Sequence, residues 1–186
     1  MTLVGISIGA TLPLMIAARH NPRLKNVISI NPYDYAGGGG VDRSTLVAKV
    51  IFTLSRIPVI GGTMMRFRNR RVEGKIFFGG VTDPTAISPA FGEQLFKVGT
   101  RPGHYKAFLS LINNAAGWER ARAEYGNIEI PVLLVYADQD WSTPEEREAN
   151  RAAIPGVQME TVKHGGHFLS LDRPREVEQL ILKFAG

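Results

Sequence analysis

Thr2-Leu3-Val4-Gly5-Ile6-Ser7-Ile8-Gly9 opens the sequence with a short apolar run that leads into a Gly-x-Ser-x-Gly pentapeptide. Residues 8–20 follow with apolar side chains at helical spacing, and Asn26-Val27-Ile28-Ser29-Ile30 forms a second, β-branched run. The order predicts a strand, a helix and a second strand. A helical connection of this length between two buried strands favours a parallel pair, so the sequence predicts an α/β fold.

The C-terminal part of the chain repeats this alternation. Apolar runs predict strands over residues 131–136 and 157–162, and helical spacing predicts helices over 144–153 and 174–184. Thr143 precedes Pro144, and Asp172 and Arg173 precede Pro174, as residues at helix starts do.

Residues 32–117 differ in composition from both flanks. Residues 37–40 are four consecutive glycines, and seven of the nine phenylalanines lie between Phe52 and Phe108. We expect an inserted, mainly helical cap here, with helices over 47–54 and 105–112 and a break at 58–62. Residues 1–31 and 118–186 would then form the core. The arginines at 66, 68, 70 and 71 favour a solvated face over a phosphate or membrane-surface role.

The composition excludes several classes of protein. The 186 residues are 44% hydrophobic and 21% charged, as in one ordinary globular domain. A net charge of +5 with mixed signs does not indicate a nucleic-acid partner, and the interrupted apolar N-terminus argues against a signal peptide or membrane anchor. There is no cysteine, and the four histidines lack the paired spacing of zinc proteases. We therefore expect a cytoplasmic protein without a metal or a cofactor.

The pentapeptide around Ser7 lies between a predicted strand and a predicted helix, and this position is what makes the motif informative. An abrupt strand-to-helix turn strains the central residue and crowds its neighbours, so we expect no room for a side chain at Gly5 or Gly9. The Ser7 hydroxyl would face the C-terminal edge of the sheet. The N–H of Ile8 would be a fixed donor for the oxyanion that forms when a carbonyl is attacked.

A serine nucleophile needs a general base and an anion to orient that base. His167 lies in a glycine-containing loop after the last predicted strand, whereas His164, three residues earlier, favours a surface role. Asp140 lies in the turn after the preceding strand, and Asp138 favours bracing that turn. Asp34, near Asn31 after the second strand, is the reserve acid should Asp140 point away.

Serine, aspartate and histidine in this order, each after a successive strand, resemble the α/β-hydrolase superfamily and its cap-bearing esterase and carbon–carbon bond hydrolase branches. The resemblance covers most of the chain. It rests on Gly5-Ile6-Ser7-Ile8-Gly9, on Ala137-Asp138-Gln139-Asp140, and on Gly166-His167-Phe168 followed by Asp172-Arg173-Pro174. It implies Ser7 as nucleophile, Asp140 as orienting acid, His167 as base and a cap over residues 32–117. Serine rather than aspartate at position 7 argues against the dehalogenase and epoxide hydrolase branches.

The sequence also departs from the family. Ile6, Ala10 and Pro13 replace the usual residues around the elbow, and an interior Pro13 would kink the helix at a cost of about 3 kcal/mol.

In the family, further strands and helices precede the elbow strand, and they would take roughly 75 residues. We expect a truncated hydrolase in which Ile8 is the sole oxyanion donor and the edge of residues 2–6 is exposed to self-association.

Two functions follow as expectations. One is a serine hydrolase that acts on a small apolar ester, lactone, thioester or carbon–carbon bond next to a carbonyl, through an acyl-enzyme. The other is a non-catalytic hydrolase fragment or interaction module.

Overall fold

The computed structural model describes residues 1–35, 43, 46–55, 57, 59–66, 74 and 77–186 of the chain. Its strands are β1 (Thr2–Ile6), β2 (Asn26–Ile30), β3 (Val132–Ala137) and β4 (Gln158–Val162). They form one sheet in the order β1-β2-β3-β4, and every neighbouring pair is parallel. The predicted α/β class with a parallel sheet is confirmed.

Helices connect the strands and fill the long segment between β2 and β3. In chain order they are α1 (Ile8–Ala18), α2 (Leu46–Ser55), α3 (Ile60–Arg66), α4 (Pro89–Gly99), α5 (His104–Asn113), α6 (Ala115–Ala121), α7 (Pro144–Ala153), α8 (Leu169–Asp172) and α9 (Pro174–Ala185). Short 3₁₀ turns occupy Pro84–Ala86 and Arg122–Asn127.

Alternating side chains along the strands build a core on each face of the sheet, as the two-residue period of a strand requires. On one face Val27, Val132 and Leu134 pack with Leu14 of α1. On the other face the intervening residues, among them Ile28, Leu133 and Val135, pack with Leu169 of α8 and Val177 of α9. All six residues of β3 are buried, which fits an inner strand of a sheet covered on both faces.

β1 lies at an edge of the described sheet. Its described strand neighbour is β2, with Thr2 opposite Asn26 and Ile6 opposite Ile30. Val4 is 42% exposed, whereas the inner strands are almost fully covered. Part of the apolar surface of this edge therefore faces solvent.

The predicted elements agree with the observed ones to within one or two residues at most ends. The helices expected over 47–54 and 105–112 are confirmed by α2 and α5. Pro13 lies buried inside α1 and does not end that helix, which continues to Ala18. The break expected at 58–62 is wrong for residues 60–62, because α3 begins at Ile60 and includes Gly61 and Gly62. The glycine run at 37–40, Pro58 and the arginines at 68, 70 and 71 lie outside the described residues, as does the side chain of Arg66.

The predicted helix starts have different physical causes. Thr143 caps α7 through a capping box, in which its hydroxyl accepts from the Glu146 N–H and the Glu146 carboxylate accepts from the Thr143 N–H. Arg173 is the N-cap residue of α9 but makes no side-chain capping bond. The carboxylate of Asp172 instead accepts from the Gly166 N–H at 2.7 Å and the Thr82 N–H at 2.9 Å. Asp172 therefore ties the loop after β4 to the long segment.

The long segment between β2 and β3 is also joined to the loop that follows β3. Arg43 forms a bidentate ion pair with Glu146, at 2.7 and 2.9 Å, and donates to the Trp141 carbonyl at 3.0 Å.

The division of the chain into a core and a cap at residues 32–117 remains a prediction. Among the helices that the structure describes, none has the length and apolarity that crossing a bilayer requires.

Candidate active site

Ser7 occupies a strained turn between β1 and α1. Its backbone angles are φ 59° and ψ −129°, a region that costs a residue with a Cβ atom of order 1–3 kcal/mol. The surrounding backbone fixes this conformation. The Ser7 N–H donates to the Ile30 carbonyl at 3.0 Å, and the Ser7 carbonyl accepts from the N–H groups of Ala10, at 2.9 Å, and Tyr33, at 3.2 Å. The turn is therefore held from both sides.

The two glycines of the pentapeptide have different surroundings. A Cβ atom on Gly5 would lie 2.6 Å from the Gly9 carbonyl carbon and 2.8 Å from the Ala10 Cα, so a side chain cannot be accommodated there. Apart from its chain neighbours and the backbone of its own helix, a Cβ atom on Gly9 would meet no described heavy atom within 4 Å. The expected crowding holds at Gly5 and is wrong at Gly9, because Gly5 faces the first turn of α1 whereas Gly9 faces open space.

Ile8 is the first residue of α1. Its N–H is therefore one of the four that an α-helix leaves without an intrahelical acceptor, and the positive end of the helix dipole lies at the same place. An N–H directly after Ser7 in this position can donate to an anion that forms beside the Ser7 hydroxyl.

The structure brings Ser7, His167 and Asp140 together at the C-terminal edge of the sheet. His167 Nε2 lies 2.7 Å from Ser7 Oγ, and His167 Nδ1 lies 2.6 Å from Asp140 Oδ1. The imidazole is buried, as is the Asp140 carboxylate. When Nδ1 carries the proton that it donates to the carboxylate, Nε2 is free to accept from the serine hydroxyl.

Both carboxylate oxygens of Asp140 have hydrogen-bond donors. Oδ1 accepts from His167, and Oδ2 accepts from the Tyr35 hydroxyl at 2.9 Å, the Ser142 N–H at 3.0 Å and the Ser142 hydroxyl. Arg147 supports this arrangement, because its Nε donates to Ser142 Oγ at 2.9 Å. Burial raises the pKa of Asp140, but the hydrogen bond and charge of His167 and the bonds from Ser142 outweigh it and lower the pKa to about 2. Asp140 is therefore ionised at neutral pH.

Asn31 joins the ends of the strands that carry the acid and the base. It is fully buried at the end of β2, where its N–H donates to the Val135 carbonyl at 2.8 Å. Its side-chain Oδ1 accepts from the Ala137 N–H at 2.8 Å. Its Nδ2 donates to the carbonyls of Gly166, at 3.2 Å, and His167, at 2.9 Å. Asn31 therefore ties the end of β2 to β3 and to the loop that carries His167.

Asp34 belongs to a separate buried network. Its carboxylate accepts from the Tyr125 hydroxyl at 2.8 Å and from Asn150 Nδ2 at 3.0 and 3.2 Å, and Arg122 lies 3.9 Å away. Asn150 Nδ2 also lies 2.9 Å from the Tyr136 hydroxyl oxygen. Burial raises the pKa of Asp34, and the hydrogen bonds of Asn150 and Tyr125 oppose this rise. The network joins the chain after β2 to α7 and to the turn before β3.

The reserve role expected for Asp34 depended on Asp140 pointing away from the base. Asp140 points toward His167, so that condition does not arise. Asp34 and Asp140 are nevertheless linked by one residue. Tyr35 directly follows Asp34 in sequence, and its hydroxyl donates to the Asp140 carboxylate.

The two other candidates have supporting positions. Asp138 Oδ1 accepts from the Gly165 N–H at 3.2 Å, so it braces the loop after β4 as well as following its own strand. His164 is exposed at the start of that loop, with φ 56°, and its carbonyl accepts from Thr82 and Arg173. In the described part of the chain, no group of three or more histidine, aspartate or glutamate side chains is placed to hold a metal ion.

Sequence reasoning missed four residues that shape the site: Asn31 in its observed role, Tyr35, Trp141 and Ser142. Trp141 and Ser142 directly follow Asp140, so their position beside the acid was a usable signal. Tyr35 and Asn31 act across the sheet at sequence separations of 105 and 106 residues, and no local pattern marks such contacts.

The comparisons with known proteins agree with this fold. A profile of the alpha/beta hydrolase family matches residues 2–180, so the chain belongs to that family. Carboxylesterase YbfK from Bacillus subtilis is 38% identical over 63 residues, which are 33% of this chain and 21% of that protein.

Two solved structures show the same fold. Cfl2 from Burkholderia cenocepacia has a TM-score of 0.81 and 19% identity over 99% of this chain. The haloalkane dehalogenase DatA from Agrobacterium tumefaciens has a TM-score of 0.81 and 22% identity over 98% of this chain. In both cases the chain spans 65% of the length of the solved protein. The chain thus has hydrolase relatives, and the fold likeness extends over nearly its whole length.

Proposed function

We propose that this chain is a serine hydrolase that cleaves an ester, lactone, thioester or carbon–carbon bond next to a carbonyl through an acyl-enzyme intermediate. The observation that carries the proposal is the continuous hydrogen-bonded line from Ser7 Oγ to His167 Nε2, at 2.7 Å, and from His167 Nδ1 to Asp140 Oδ1, at 2.6 Å. These are the distances that a nucleophile, its base and the orienting acid require.

The chemistry follows from the ionisation of Asp140. The carboxylate holds the Nδ1 proton, so Nε2 accepts the proton of the Ser7 hydroxyl as Ser7 Oγ attacks the substrate carbonyl carbon. The imidazolium that forms is stabilised by the adjacent carboxylate. It then gives the proton to the leaving group, which departs as the acyl-enzyme forms. Water, deprotonated by the same imidazole, then attacks the acyl carbon. The imidazolium returns this proton to Ser7 Oγ as the acyl–oxygen bond breaks and the acid product leaves.

The oxyanion of each tetrahedral intermediate would accept from the Ile8 N–H at the start of α1. Many acyl-transfer sites use two donors, and removal of one typically lowers kcat by about 10²–10³-fold. We propose the Ile8 N–H as one such donor. We propose a small apolar carbonyl compound as the substrate, and the carboxylesterase likeness over 63 residues places esters first among the candidates.

The experiment treats purified protein with a fluorophosphonate probe and with an activated aryl ester. We expect covalent labelling at Ser7, located by peptide mass spectrometry, and a burst of the aryl alcohol equal to the labelled fraction. Ser7→Ala should abolish both signals. The matched control is Ser110→Ala, which removes an exposed serine hydroxyl of α5 and should leave both unchanged. Equal reaction of Ser7→Ala and unaltered protein would disprove the proposal.

A second candidate is a non-catalytic interaction module, and the exposed edge of β1 favours it. An edge strand offers unpaired N–H and C=O groups to another strand, and Val4 adds exposed apolar surface there. We propose that copies of the chain self-associate through β1. Sedimentation should then show a mass that rises with concentration, and Val4→Lys should keep the chain monomeric. A concentration-independent monomer would contradict this.

A further inference from the structure

Trp141 covers one face of the His167 imidazole. The ring centroids are 3.9 Å apart and the two planes differ by 8°, a parallel stack at van der Waals distance. Trp141 is 8% exposed and His167 is 1% exposed, so the stack excludes water. Tyr33 and Phe168 also contact the imidazole, but their rings are inclined to it by 76° and 68°. Among the described aromatic residues in contact with His167, Trp141 is therefore the one that lies flat over the ring.

The indole is itself fixed by the chain around it. Its Nε1–H donates to the Gly79 carbonyl at 3.1 Å, and Phe168 packs against it edge-on at 5.8 Å. A Cβ atom on Gly80 would lie 2.5 Å from the Phe168 ring and 3.1 Å from the Trp141 ring, so the turn at residues 79–80 packs tightly against both rings. The indole plane is thus fixed both by Phe168, next to the base in sequence, and by residues 79–80, which lie outside the loops that carry the acid and the base.

We propose that Trp141 is the positioning residue of His167. Its indole holds the imidazole in the plane where Nδ1 faces Asp140 and Nε2 faces Ser7, and it stabilises the imidazolium that forms when the Ser7 proton moves to Nε2. A cation over the face of tryptophan is the most favourable aromatic arrangement of this kind, and the attraction is greater where water is excluded. This inference rests on the proposed function, because it assigns Trp141 to the same proton transfer.

The geometry of the imidazole rests on few other groups. Asp140 is the charged group bonded to the ring, and its position is fixed from the far side by Tyr35 and Ser142. The bonds at Nδ1 and at Nε2, which lies 2.7 Å from Ser7 Oγ, restrict rotation of the ring about the Cβ–Cγ bond. The flat contact with Trp141 adds packing on one ring face that restricts this rotation further.

The variants that test the proposal are Trp141→Leu, which removes the aromatic face, and Trp141→Phe, which keeps one. The control is Trp118→Phe, which removes the other tryptophan of the chain from α6. We expect Trp141→Leu to lower kcat and the rate of fluorophosphonate labelling by about 10- to 30-fold with KM little changed, since the imidazolium forms only during the reaction. Trp141→Phe should restore most of this loss, and Trp118→Phe should behave as the unaltered chain. Equal rates in all three variants would overturn the proposal.

A second measurement does not depend on turnover. Proton NMR of the unaltered chain should show a His167 ring proton shifted strongly upfield by the indole and a far-downfield proton in the bond between His167 Nδ1 and Asp140. The downfield signal should persist in Trp141→Phe and disappear through exchange in Trp141→Leu. Persistence of that signal in Trp141→Leu would overturn the positioning role. If Trp141→Leu does not fold, absence of the upfield shift in the unaltered chain would overturn it.

The two proposals can fail separately. A chain that is not labelled at Ser7 but shows both NMR signals, with loss of the downfield signal in Trp141→Leu, would reject the hydrolase proposal and retain the placement of His167 by Trp141. A chain that is labelled at Ser7 with equal rates in the Trp141 variants would do the reverse.

Discussion

Replacement of Asn31 by alanine should weaken both the fold and the site. The amide is fully buried and makes one accepted and two donated hydrogen bonds, to Ala137, Gly166 and His167. Removal leaves three backbone groups without this partner in a region closed to water. Each buried polar group left unpaired costs about 1–3 kcal/mol, and neighbouring atoms recover part of it, so we expect a loss of about 3–5 kcal/mol.

The backbone at Asn31 adds a smaller contribution. Its φ is 44°, in the left-handed region, where asparagine is tolerated better than alanine and glycine is tolerated best. Asn31→Gly should therefore be more stable than Asn31→Ala by about 1 kcal/mol, although both lack the amide. The difference between the two variants separates the strain of the backbone from the hydrogen bonds of the side chain.

Urea unfolding followed by circular dichroism measures these free energies. The matched control is Asn114→Ala, which removes an exposed asparagine whose amide bonds to Ser110 within the same turn, and it should change stability by less than about 0.5 kcal/mol. We also expect Asn31→Ala to slow the labelling of Ser7, because the loop that carries His167 loses its anchor. A loss below about 1 kcal/mol in Asn31→Ala would refute the reasoning.

Two further predictions concern the turn around the serine and the acid. Gly5→Ala should destabilise the chain by about 3 kcal/mol or more, because the new Cβ atom would meet backbone atoms. Gly9→Ala should be neutral or stabilising by up to about 1 kcal/mol, because alanine favours a helix and the space beside Gly9 is open. Thermal melts of the two variants measure this difference, and equal effects would contradict the geometry. Because the pKa of Asp140 is lowered to about 2 from an ordinary value of 3.8, its contribution to stability is present above pH 4 and lost as the pH falls toward 2. Unfolding free energies measured from pH 5 to 2 should therefore fall by roughly 2 kcal/mol more in the unaltered chain than in Asp140→Asn, and identical slopes would count against the lowered pKa.

The sequence was sufficient to predict the order of strands and helices and to predict three residues that meet at the sheet edge. Parallel strands bring their C-terminal ends to one rim, so Ser7, Asp140 and His167 could be placed there from the positions of their loops alone. Thr143 was also predictable, because a cap and its partner lie three residues apart in the chain.

Contacts that depend on packing could not be predicted in the same way. The stack of Trp141 on His167 and the bonds of Asn31 join loops that are distant in sequence, and tryptophan or asparagine in a loop carries no pattern that names its partner. At Gly9 the sequence predicted crowding that the structure does not have. A motif predicts the same requirement for both of its glycines, but the need for a glycine depends on what lies beside each one.

The described strands all run in one direction, and this separates the two rims of the sheet. The residues around Ser7 lie in the loops at the carboxyl ends, whereas the exposed turns at residues 19–23 and 155–156 lie at the amino ends. Attachment of a surface, a dye or a fused protein through those turns would therefore leave the rim that carries Ser7 facing outward. The fold offers a built-in orientation for immobilising the chain.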